Sequence, residues 1–302
     1  MTYARLKRPS AMLAASSIAL AVAVAMPAAT TAAGPHTCKG TAKKPGVLAA
    51  GTYRAGVLVK GVCYVNAGKA RVDGMVTLAP KSALAAAFAL NDRTHSGASG
   101  LTVKGGIVVG RGATLILGCN HLSFPCIDDP NQMNATLDGP DRVSGSLAAA
   151  APLGVLVHQT TIGGSVTENG GGGGLNCNPQ GAFKAFMSPV YSDYEDSSVK
   201  GKVSITNLKT CWLGVARVHV GGGLTFTANK VADPDAIEIL SNHVGGALAC
   251  KRNTSVWDSA EINMSGLYPR TPEPNAVRGK RSGQCKLASP ATQGGPSGPG
   301  PF

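Results

Sequence analysis

Aromatic residues make up 5% of the 302-residue chain and charged residues 15%. So few rings, none interleaved with basic clusters, exclude the stacking platform on which single-stranded nucleic acids bind. Only one long apolar stretch occurs, Ala11 to Met26, broken by Ser16 and Ser17. It is mostly alanine and shorter than the roughly twenty apolar residues of a membrane-spanning helix, so no transmembrane anchor is expected. Cys-x-x-Cys is absent, and the six histidines, His36, His95, His121, His158, His219 and His243, are isolated along the chain. That removes the familiar zinc spacings. The glycine run Gly170 to Gly174 lacks the Lys-Ser or Lys-Thr that would make it a phosphate-cradling loop. Gly97-Ala98-Ser99-Gly100 misses a nucleophile elbow because its second glycine comes one residue early.

What the chain has in quantity is glycine, 40 residues, an unfavourable composition for helices, where each interior Gly costs about 1 kcal/mol relative to Ala. The glycines are patterned. An apolar-x-Gly-x-apolar phrase recurs around Gly61, Gly74, Gly105, Gly145, Gly164, Gly201, Gly222 and Gly246, with a degenerate copy at Val277-Arg278-Gly279-Lys280-Arg281. Flanking apolar residues alternate, as in Val199, Val203 and Ile205 or Val220, Leu224 and Phe226, which is the period of a half-buried strand. Repetition of this kind specifies one unit stacked on itself. The intervals between glycines drift between 13 and 40 residues, which suits a β-solenoid better than a propeller of fixed blade length. The phrase places the glycine at an inward parity, so it is read as a corner, reached through a positive φ or through close approach to the next coil. Eight to ten coils at about 4.8 Å each would make a rod of roughly 40–50 Å.

The first 33 residues read as a secretory signal peptide: Arg5, Lys7 and Arg8, then the alanine-rich stretch, then Thr31-Ala32-Ala33 before Gly34. The expected product is secreted and extracellular. Cleavage there lowers the formal net charge from +12 to +9, a balance that suits anionic polymers or membrane surfaces, although the basic residues are scattered, with Lys43-Lys44 and Arg278 to Arg281 among the few close groupings and neither interleaved with aromatics, so nucleic acid is not expected. Cys38, Cys63, Cys119, Cys126, Cys177, Cys211, Cys250 and Cys285 all lie in the exported part and read as disulfides. Because each unit of a stack touches mainly its neighbours, the expected pairs are Cys38–Cys63, Cys119–Cys126, Cys177–Cys211 and Cys250–Cys285.

The solenoid domain is expected over residues 34–287, followed by a Gly/Pro-rich tail over 288–302 too poor in apolar residues to fold. Three stretches interrupt the repeat and read as insertions, Cys119 to Asp141, Glu168 to Glu195 and Lys251 to Asn275. Loops on a rigid scaffold are where function concentrates.

Three segments carry a resemblance: Ala83 to Asp92 (ALAAAFALND), Gly112 to Cys119 (GATLILGC) and Ser188 to Asp196 (SPVYSDYED). On these, over about residues 50–285, the chain resembles a family of uncharacterised secreted actinobacterial proteins with glycine-valine repeats. The resemblance implies an all-β fold, a single-stranded right-handed parallel β-helix (solenoid) with loop insertions and disulfides, and brings no assigned catalytic residues. The repeat is also weakly similar to that of bactofilins, which lack the export signal and the cysteines.

Candidate chemistry sits in the insertions. Asp193, Tyr194, Glu195 and Asp196, with Trp212 downstream, are read as an exposed loop able to meet a glycan or a cation, and Asp128 and Asp129 as a second acidic turn. Oxygen ligands at this density suit Ca²⁺, but neither an EF-hand nor a calcium nonapeptide is present, and no other cofactor or metal is indicated. Stacking is expected to align His219 with His243, 24 residues apart. Two functional readings follow. The first is a secreted structural or surface-interaction solenoid, without an evident catalytic site, that binds cell-wall or extracellular glycan. The alternative is a polysaccharide lyase or glycoside hydrolase on acidic polysaccharide, using carboxylates such as Asp193, Glu195 and Asp196. Oligomeric state is open, since solenoid ends offer unpaired strand edges.

Overall fold

A computed structural model describes residues 34–120, 137–233, 237–259 and 274–288. The expected signal peptide, Cys126, Asp128, Asp129 and all of the tail beyond residue 288 lie outside the described residues.

Strands pair in parallel with the strand one coil earlier and one coil later, so the chain is a parallel β-solenoid with three strands per coil. The first face runs through His36–Gly40, the start of Val57–Val72, Val76–Leu78, Ile107–Val109, Leu147–Ala150, Val166–Asn169, Val203–Thr206, Leu224–Thr227, Leu248–Lys251 and Arg281–Gly283. The second runs from Gly46 and Cys63 through Ala83–Ala86, Thr114–Leu117, Gly154–His158, Tyr191–Glu195, Trp212–Ala216 and Ile237–Leu240 to Val256–Ser259. The third aligns Tyr53, Val72, Val103, Val143, Ile162, Val199, Val220, Val244 and Val277. Alternation of side chains along each strand sends Val76, Ile107, Leu147, Leu115, Val155, Leu213, Val103 and Val220 inward, all 2% exposed or less. Each such side chain contributes about 1.5–3 kcal/mol when buried.

The glycine phrase turns the chain from the third face to the first. Its corner glycines hydrogen-bond one above another: the N–H of Gly145 donates to Gly105 O at 2.8 Å, Gly201 to Gly164 at 2.9 Å, Gly222 to Gly201 at 2.8 Å and Gly246 to Gly222 at 2.8 Å. A Cβ added at Gly105 would lie 2.5 Å from Gly74 O, and one at Gly145 would lie 2.6 Å from Gly105 O. None of these stacked glycines has a positive φ. Close approach of successive coils therefore demands glycine here. The copy at Gly61 is different: it has φ +87 and lies within Val57–Val72, where the chain passes from the first face to the second.

Left-handed residues mark the other two corners: Ala151, Asn207, Ala228 and Arg252 at one, Gln159, Asp196, Arg217 and Ser241 at the other. A polar side chain often follows them and ties the coils together. Asn229 accepts the Leu208 N–H at 3.0 Å and donates to Ile205 O at 2.8 Å; Asn242 accepts the Val218 N–H at 2.9 Å and donates to Val215 O at 2.8 Å. Bonds of this kind satisfy backbone groups where the strand ladder is interrupted.

Disulfides join Cys38 to Cys63, Cys177 to Cys211 and Cys250 to Cys285. Two of them clip the terminal coils, and Cys119 is also disulfide-bonded. Arg281 explains the degenerate last phrase: it takes the first-face position that Leu248 holds one coil earlier. There it pairs with buried Asp258, while its Nη2 donates to Asn275 O at 2.8 Å. A charged group replaces the apolar one at the last described level of the stack, as the polar outer face of a capping unit requires.

The insertions are narrower than expected. Tyr191–Glu195 and Val256–Ser259 are strands of the second face, not parts of loops, because their alternating side chains complete its inner row. A further excursion, residues 87–99, leaves the second face before Gly100–Val103.

Candidate functional site

The expected acidic loop is a buried strand. Every residue of Tyr191–Glu195 is buried, with Asp193 and Tyr194 each 1% exposed. Ser192 and Tyr194 point inward, into contact with Glu168, which sits at the first-face level where neighbouring coils place Ala149 and Ile205. Glu168 accepts from Ser192 Oγ at 2.7 Å and from the Tyr194 hydroxyl at 2.9 Å. Burial pushes the Glu168 carboxyl up to about 7 against the lowering effect of those two bonds.

Tyr191, Asp193 and Glu195 face outward beneath a second layer. The 3-10 helix Gly181–Phe186 lays Phe183 against Tyr191, ring centroids 5.5 Å apart, and Trp212, opposite Tyr191 one coil later, packs on it at 5.7 Å. Trp212 is thus a packing residue of an aromatic cluster rather than an exposed sugar platform. Beside it lies an ionic network across consecutive coils. His158 Nε2 is 3.0 Å from Asp193 Oδ1, and Arg217 donates to Glu195 at 2.9 Å and to Asp196 at 2.7 and 3.0 Å. Asn120 donates to Asp196 at 2.7 Å, binding the start of the insertion after Cys119 to the coil. Burial alone would lower the His158 pKa, but the nearby carboxylates, Asp193 foremost, outweigh it and the net shift is upward. Burial raises Glu195 to about 7, opposed by His158 and Arg217.

One donor atom each of His158, Asp193 and Glu195 lies within 4.8 Å of the other two, so this cluster could hold a metal. Cys177, Cys211 and Asp233 also converge, but those cysteines are bonded to each other. As acid–base groups for a polymer substrate, Asp193 and Glu195 are poorly placed, since both are buried and ion-paired. Nothing in the local sequence marks Glu168, His158 and Arg217 as partners of the acidic segment. The repeat interval carries the signal, because the 37 residues from Gly164 to Gly201 also separate His158 from Glu195, and the 21 from Gly201 to Gly222 separate Asp196 from Arg217.

The third face presents the opposite surface. Its outward column is Arg71, Thr102, Arg142, Thr161, Ser198, His219 and His243, each opposite the next in the register. The x position of the glycine phrase adds Lys104, Lys200 and Arg278 beside it. Arg71, Lys104, Arg142, Lys200, Arg278 and both histidines are exposed. The His219 and His243 rings stack, centroids 4.6 Å apart and 17° from parallel. Asp73, held by Arg71 at 2.7 Å, is the acid on this strip. The contrast extends over the molecule: among the described residues no Lys or Arg is buried, and Asp73 and Asp138 are the only exposed carboxylates.

Comparison with protein-family models, with curated proteins and with solved structures found no match. Among the described residues no helix is long and apolar enough to cross a membrane.

Proposed function

We propose that the protein is a secreted binding module that holds an acidic polysaccharide, such as a cell-wall or extracellular glycan, along the third face of its solenoid. The observation that carries this reading is the exposed strip Arg71, Lys104, Arg142, Lys200 and Arg278, set on strands whose successive coils are in register. A coil rises about 4.8 Å, close to the length of one pyranose ring, so a linear polyanion laid along the face meets cationic levels separated by one to three coils. A row of like charges on a rigid surface attracts a polymer of the opposite sign at long range. The strip carries no aromatic side chain apart from the histidines, which favours a sugar polyanion over a nucleic acid. Disulfides at both ends of the stack suit an oxidising, extracellular setting.

The test is binding of the chain from Gly34 onward to polygalacturonate, hyaluronate, neutral dextran and duplex DNA, with product release followed in parallel. The expected result is binding to the acidic polysaccharides, none to dextran, and no cleavage. Equal binding to dextran, preference for DNA, or turnover would each overturn the reading.

A further inference from the structure

The buried cluster under the outer layer of the second face brings one imidazole and two carboxylates together. Asp193 and Glu195 alternate along one strand and so project to the same side, and His158 stands opposite Glu195 one coil earlier. All three are buried, and His158 Nε2 and Asp193 Oδ1 are 3.0 Å apart. The mutual separations stay within 4.8 Å. Ligands about 2.0–2.1 Å from a tetrahedral ion lie about 3.3 Å from one another, so small side-chain rotations bring these three atoms onto one ion. Two neighbouring carboxylates withdrawn from water are the kind of group that a metal ion stabilises. The imidazole selects the metal: Ca²⁺ and Mg²⁺ take oxygen ligands, whereas one nitrogen with two carboxylates suits Zn²⁺.

We propose that His158, Asp193 and Glu195 form a Zn²⁺ site that staples two consecutive coils of the solenoid. Asp196 and Arg217 flank the site, and Asn120 is hydrogen-bonded to Asp196 beside it. The site is separate from the basic strip and does not depend on what the strip binds.

His219 and His243 could hold a transition metal at the surface, so the experiment uses the full exported chain carrying His219→Gln and His243→Gln. After removal of metal with a chelator, Co²⁺ is added as a spectroscopic probe and Zn²⁺ is then used to displace it, with thermal unfolding recorded with and without Zn²⁺. One equivalent of Co²⁺ with visible absorption of tetrahedral intensity, lost on adding Zn²⁺, and a higher Tm with Zn²⁺ are expected. Asp193→Asn and Glu195→Gln are each expected to weaken Co²⁺ binding at least tenfold, with circular dichroism confirming the fold. Absence of both the Co²⁺ band and the Zn²⁺ shift in the folded double-histidine variant overturns the proposal. Undiminished affinity in either carboxylate variant overturns it too, and the parent titration decides the matter if one variant does not fold.

Discussion

His158 lies opposite Glu195 in adjacent coils, 37 residues away in sequence, and both are buried. The relationship shows how the solenoid makes its contacts. A residue meets whatever stands one coil away, and the interval between corner glycines tells which residue that is.

The corner glycines are expected to tolerate no side chain. At Gly105 the φ is an ordinary one and the obstacle is the Gly74 carbonyl oxygen, 2.5 Å from the position a Cβ would take. Gly105→Ala must push two coils apart, and a cost of about 1–3 kcal/mol is expected. Urea unfolding should show a lower midpoint with an unchanged slope, whereas Ser144→Ala, exposed beside the next coil's corner glycine, should have little effect.

Two buried carboxyls should make part of the stability fall as pH rises. Burial raises both Asp141 and Glu168 to about 7 in the fold, whereas in the unfolded chain they return to ordinary carboxyl values near 4. Between those values the folded state binds more protons at these two groups, so the stability they contribute is fully present below about pH 4, is lost as pH rises to about 7, and does not change beyond. Each group contributes on the order of 3 kcal/mol to this slope. Thermal unfolding should give a Tm higher at pH 5 than at pH 8 by roughly 5 °C or more. Glu168→Gln should flatten the dependence and raise the Tm at pH 8, because the amide oxygen still accepts from Ser192 or Tyr194 without carrying charge.

The terminal disulfides should act locally. Cys250–Cys285 closes a separation of 35 residues around the last coil, and a loss of about 2–4 kcal/mol is expected on replacing both cysteines with serine. Hydrogen exchange should accelerate in Leu248–Lys251, Arg281–Gly283 and their nearest coil while Ile107–Val109 stays protected, since a stacked fold frays from its ends. Uniform acceleration along the chain would contradict this.

Much of the architecture can be read from residue order. Period-two alternation around Val199, Val203 and Ile205 places strands, and the recurring glycine marks a corner, because both depend on local patterns. The 24-residue offset of His219 and His243 likewise matches their stacking. The acidic segment is harder to place. Asp193, Glu195 and Asp196 look like a solvated loop because carboxylates are costly to bury, and partners distant in sequence, among them His158 and Arg217 one coil away, make burial tolerable. Glu168 stands two residues after Val166, at an inward parity, so its place in the core follows from the repeat, but its partners Ser192 and Tyr194 lie beyond an insertion that hides the register. Phe183, which covers Tyr191, leaves no periodic trace, whereas Trp212 follows Tyr191 by the same 21 residues that separate Gly201 from Gly222.

The central claim, that the third face is a polyanion strip, is tested most directly by the salt dependence of polygalacturonate binding. The measurement compares the parent chain with one carrying Arg71→Ser, Arg142→Ser, Lys200→Ser and Arg278→Ser, all at exposed positions. If the strip holds the polymer, each of the four lost cations removes about 0.7 of a released counterion, as for a single-stranded polyanion, so the slope of log K against log salt should flatten by about three in the variant, with affinity falling at least tenfold at low salt. An unchanged slope and affinity in the folded variant would contradict the account.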